Sequence, residues 1–132
     1  MKLHNRKPDI ENLYKVLRKE EPARPTLFEL FMNLPLYERL AGRKLVKTGD
    51  PALENLKLVV EAYTAAGYDY ATAHGSDFGF PSNRHQEKST ISLNDGCVIT
   101  DEASFEAYQW PDPDDWDFSR LERIRPFLPD GM

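Results

Sequence analysis

His74, Gly75, Ser76 and Asp77 form the one short run in this sequence whose residue types suit chemistry at a strand end. An imidazole there can shuttle a proton near neutral pH, and a carboxylate can accept hydrogen bonds from ligand N–H groups or pair with a cation. His74 and Asp77 are therefore the candidate catalytic residues. The same types also suit a plain loop, in which Asp77 caps a turn and His74 bonds the local backbone. His74, His85 and Cys97 are the right types for zinc, yet their spacings match no compact ligand pattern. Cys97 lies beside an apolar pair in an apparent strand, which favours a small packing role over a nucleophile's. Asp112, Asp114, Asp115 and Asp117 alternate with Pro and Trp and lack the Gly and distal Glu of a calcium loop. Phosphate-binding glycine loops, a nucleophile elbow and the His-Glu-x-x-His zinc motif are all absent from the sequence.

The elements that would position these residues read as an α/β pattern. Pro8-Asp9 opens a helix in which Ile10, Leu13, Tyr14 and Leu17 recur at helical spacing. Thr26–Met32 is an almost continuous apolar run, as in a strand of a parallel sheet buried on both faces. A short helix over Pro35–Leu40 ends at Gly42. The next starts at Asp50-Pro51, buries Leu53, Leu56, Val60 and Tyr63, and closes at Gly67. Tyr68–Ala73 then reads as a second strand, giving a βαβ unit with His74 and Asp77 just past it, where parallel α/β folds place their sites. Residues 74–88 read as a loop. Ser89–Leu93 and Cys97–Thr100 flank Asn94-Asp95-Gly96, a hairpin turn signal. Thr100 or Asp101 can cap a helix reaching Tyr108, and Asp117 another carrying Phe118, Leu121 and Ile124.

Composition narrows the class. The 132 residues fit a single domain, and 40% hydrophobic content suffices for a core. Net charge is −5, divided as +4 over residues 1–50 and −9 over the rest. The basic residues are dispersed among acids with no recognition motif, which points away from nucleic acid. No apolar run is long enough for a membrane helix. A lone cysteine and an N-terminus without a secretory pattern point to the cytoplasm. Pro129-Asp130-Gly131-Met132 reads as a turn leading towards another strand. Two parallel strands alone leave bare edges, so further chain or a partner, including a second copy of the chain, is expected to cover them.

Glu21-Pro22-Ala23-Arg24-Pro25-Thr26 before an apolar strand, Ala66-Gly67-Tyr68-Asp69-Tyr70-Ala71 leading to Ser76-Asp77, and Trp110-Pro111-Asp112-Pro113 together resemble uroporphyrinogen decarboxylase-like proteins. The divergent, methyltransferase-like branch is the nearer one. The resemblance implies that residues 1–132 form a single partial domain, the N-terminal part of a (β/α)8 TIM barrel with an inserted β-hairpin. It also implies tetrapyrrole- or corrinoid-type ligands for the full protein, with Asp77 at the position that holds pyrrole N–H groups. The decarboxylases' arginine motif after the first strand is replaced by Asn33-Leu34-Pro35-Leu36-Tyr37-Glu38-Arg39, which argues against that decarboxylation. Zinc and corrinoid belong, on this resemblance, to residues outside the segment, which itself holds no cofactor. The alternative is a non-catalytic module that self-associates or binds a partner.

Overall fold

Polar caps account for where the first three described helices begin. The computed structural model describes residues 6–81 and 97–132. They divide into two compact units, one holding the described residues up to Gly75 with Phe118–Met132, the other lying within Ser76–Asp117.

In the larger unit, α1 (Ile10–Leu17) starts where the Asp9 carboxylate accepts the Glu11 N–H. It ends at Leu17 with Arg18 as its C-cap, and the chain turns away at Lys19, whose φ of +61° is left-handed. Its buried residue is Asn12, while Tyr14 and Leu17 of the expected apolar stripe are exposed. Asn12 donates to Asp9 and accepts from the Ala23 N–H at 3.0 Å, so a satisfied amide ties the chain after α1 back onto it. Helix α2 (Leu34–Ala41) is capped by Asn33 and closed by Gly42 at φ +74°. Helix α3 (Pro51–Ala66) is capped by Asp50 and closed by Gly67 at φ +90°. The core forms where α2 meets α3, from Tyr37, Leu58, Val59, Ala62 and Tyr63. A second cluster joins Leu56 and Val60 to Ile124 of the short helix Arg120–Ile124. Ser119 stands at the N-cap position of this helix and makes no side-chain cap bond.

The smaller unit contains α4 (Glu102–Glu106), placed by a reciprocal bond pattern between Asp101 and Ser104. Its other feature is a chain of edge-to-face rings. Trp110 contacts Tyr108 at 4.8 Å and Phe105 at 5.3 Å between centroids. None of its described residues is buried.

The α/β expectation fails: the described residues contain helices and turns and no strand, so the chain is not the N-terminal part of a TIM barrel with an inserted hairpin. Thr26–Met32 and Tyr68–Ala73 run without a ladder. The reason is visible at Glu29. Its N–H donates to Tyr70 Oη at 2.9 Å, and its carbonyl accepts from Tyr63, Tyr70 and Thr72 hydroxyls at 3.2, 3.1 and 3.3 Å. The Met32 N–H likewise donates to Tyr37 Oη at 2.7 Å. Side-chain hydroxyls occupy backbone groups that a neighbouring strand would otherwise have bonded. The expected two-faced burial fails with the ladder, since Phe28 and Phe31 are each 69% exposed. Cys97–Thr100 forms no strand, and Ser89–Gly96 of the expected hairpin lies outside the described residues. No helix among the described residues is long and apolar enough to cross a membrane.

Candidate functional site

His74 is exposed in the larger unit, and Asp77 is exposed in the smaller one. His85 lies outside the described residues. Cys97 is exposed, with its Sγ 3.1 Å from the Ile99 carbonyl oxygen it donates to. Among the described residues no group of three or more His, Cys, Asp or Glu side chains is arranged to hold a metal ion. Asp112 of the aspartate run accepts the Asp114 N–H at 3.0 Å and so shapes a turn. The cleft of about 250 Å³ in the smaller unit is walled by Phe80, Pro81, Tyr108 and Trp110, with Cys97 beside them. Its walls are apolar and present no acid–base pair.

What the fold does bring together is a set of polar ties around an exposed apolar segment. Asp69 follows the Gly67 cap of α3 and is 1% exposed. Its carboxylate accepts from Arg6 Nη2 at 3.2 Å, from the Asp9 N–H at 3.0 Å, and from Arg24 Nη2. Three bonds, two of them from cations, largely satisfy a carboxylate's acceptor capacity and neutralise its charge. The Arg6 guanidinium also donates to the Pro25 carbonyl at 2.7 Å, and that of Arg24 to the Lys7 carbonyl at 2.6 Å. The arm before α1 and the turn at Arg24-Pro25 are thus bound to each other and to the end of α3.

Immediately beyond Pro25 the chain presents Leu27, Phe28, Leu30 and Phe31, all exposed. Phe28 leans on Tyr70 with ring centroids 6.2 Å apart. Beneath Glu29, Tyr63 is fully buried, and burial pushes its phenol up to about 12 from the ordinary 10. Burial also raises Tyr68. Both phenols therefore stay protonated across the physiological range, as the Tyr63 donor role at Glu29 requires.

Sequence reasoning passed over Asp69 and Glu29 as functional positions. The Gly67-x-Asp69 spacing was a usable signal for the first, because a carboxylate straight after a glycine cap sits at a helix end. Glu29 carried none, since its backbone does the bonding. No family model, no curated protein and no solved structure matches this chain.

Proposed function

We propose that this chain is an association-dependent segment, catalytically inactive alone, belonging to a uroporphyrinogen decarboxylase-like enzyme whose chemistry is completed by further protein. The observation that carries the proposal is the anchored yet uncovered stretch Leu27–Phe31. Its backbone is fixed at Glu29 and Met32 while Phe28, Leu30 and Phe31 are 69%, 56% and 69% exposed. Covering one phenylalanine contributes roughly 1.5–3 kcal/mol, so a contiguous apolar stretch of this kind favours contact with another protein surface. Tetrapyrrole- or corrinoid-type ligands, and any zinc, are assigned to that further protein on the strength of the resemblance alone.

The second reading is a stand-alone module that covers the same stretch with a second copy, and the same exposed side chains favour it. Sedimentation velocity over a range of concentrations tests the shared claim. The chain is expected to self-associate reversibly when no other partner is present, and Phe28→Ser with Phe31→Ser is expected to abolish this while keeping the helical circular dichroism. A chain that stays monomeric at every concentration, with or without the substitutions, refutes association through this stretch. To separate the two readings, the chain is mixed with the remaining domain of a parent enzyme. Restored turnover supports the enzyme segment, and turnover that stays absent while dimers persist supports the module.

A further inference from the structure

We propose that the aromatic cleft of the smaller unit binds a small quaternary ammonium cation of the size of choline. The proposal goes beyond the association reading and concerns only residues within Ser76–Asp117. Three rings line a corner of the cleft. Trp110 stands against Phe80 with centroids 6.3 Å apart and planes at 81°, and against Tyr108 at 4.8 Å and 69°. Tyr108 Oη donates to the Pro81 carbonyl at 2.7 Å, so two of the lining residues are held to each other. Rings set nearly at right angles let one seated group meet more than one aromatic wall. That is the arrangement in which ring quadrupoles attract a cation.

Two further observations choose the kind of cation. Among the described lining residues the polar side-chain donors are the Tyr108 hydroxyl and the Cys97 thiol, and each already donates, to Pro81 and Ile99 carbonyls. A primary ammonium brings three N–H donors that apolar walls would strip of water, whereas a quaternary ammonium brings none and presents methyl groups. The second observation is charge. Ser76–Asp117 holds ten Asp and Glu against Arg84 and Lys88, a net of −8, and all its described carboxylates are exposed. Such a field concentrates cations at the unit and repels anions. The cleft, at about 250 Å³, lies below the roughly 300 Å³ at which sites for drug-sized molecules begin, so it suits a ligand of few heavy atoms.

Both tryptophans of the chain, Trp110 and Trp116, lie in this unit, so tryptophan fluorescence of the full chain reports on it alone. The test titrates choline chloride at constant ionic strength beside its neutral isostere, in which a tert-butyl group replaces the trimethylammonium. Choline is expected to give a saturable change and to bind about fivefold or more tightly than the isostere, the scale of a cation–π contact. Saturation-transfer NMR on the ligand methyl protons carries the same comparison to Trp110→Leu, which keeps an apolar wall without the indole and is expected to lose most of the preference. Should Trp110→Leu lose the near-ultraviolet circular dichroism, Glu106→Gln with Asp112→Asn replaces it. That pair is expected to weaken choline about twofold or more and leave the isostere unchanged. No saturable binding of choline overturns the proposal. Equal binding of choline and the isostere also overturns it and leaves a plain apolar cleft. A trimethyl-lysine peptide that binds far more tightly than choline would move the ligand onto a protein and overturn the small-molecule assignment.

Discussion

Replacing Tyr63 with phenylalanine should weaken the protein at neutral pH and strengthen it, relative to the parent, in alkali. The Tyr63 ring is completely buried between α2 and the chain after α3, with the Tyr68 ring at 4.8 Å. Phenylalanine keeps that packing and removes only the hydroxyl. The Glu29 carbonyl, with room for two strong bonds, then still has Tyr70 at 3.1 Å and Thr72 at 3.3 Å, so the neutral-pH cost is about 0.5–1 kcal/mol. The alkaline term has the opposite sign. Tyr63 holds its proton up to about 12 when folded and loses it near 10 when unfolded, so between these values the unfolded state binds fewer protons. Stability is whole below pH 10 and falls as pH rises towards 12. The separation of the two pKa values costs the parent roughly 1.4 kcal/mol by pH 11 and about 2.3 kcal/mol by pH 12. Tyr63→Phe lacks this term, so the two stability curves should cross at about pH 10.5, roughly where the losses balance. Urea unfolding followed by circular dichroism at intervals from neutral to alkaline pH gives both curves. Parallel curves would show that the Tyr63 phenol does not titrate as a buried group, and would refute the account of Glu29.

Two further substitutions test the frame. Gly131→Ala should destabilise the larger unit by about 1–3 kcal/mol or more, because Gly131 has φ +87° and a methyl there would overlap the Pro8 carbonyl. It should also loosen the Ile10 N–H to Gly131 carbonyl bond of 2.7 Å, and exchange at the Ile10 amide checks that directly. Leu58→Ala should cost about 2–5 kcal/mol, since Leu58 is fully buried on α3, whereas Leu30→Ala should be nearly neutral in urea unfolding because Leu30 is 56% exposed. A large cost at Leu30 would mean that the stretch is already covered.

Helices α2 and α3 were legible because their signals are local. Pro35 with Gly42, and Asp50-Pro51 with Gly67, mark starts and stops through bonds within one turn of the chain. The apolar run Thr26–Met32 has the local pattern of a buried strand, but burial on both faces depends on neighbours that no local pattern specifies. Its actual partners, Tyr63, Tyr70 and Thr72, stand 34 to 43 residues away in sequence and act through hydroxyls. The site was less legible than the fold. His74 and Asp77 are candidates by residue type and position, and each is exposed in its own unit. Asp69 acquires its role only when Arg6 and Arg24, 63 and 45 residues before it, fold onto it.

The manner in which Thr26–Met32 is held bears on what it is for. A strand ladder would have bonded the backbone on both sides and brought neighbouring side chains across both faces, hiding the phenylalanines. Hydroxyl ties at Glu29 and Met32 satisfy only those backbone groups and leave Phe28, Leu30 and Phe31 outside. An unanchored apolar stretch would fluctuate and associate without selectivity, and it would pay ordering entropy on meeting a partner. A stretch ordered beforehand by Tyr37, Tyr63, Tyr70 and the Asp69 pair forgoes most of that cost. Selectivity is the consequence that separates the two cases. If the anchors matter, loosening them while leaving Phe28 and Phe31 in place should weaken specific association and raise disordered aggregation. If only apolar area matters, loosening them should leave association unchanged.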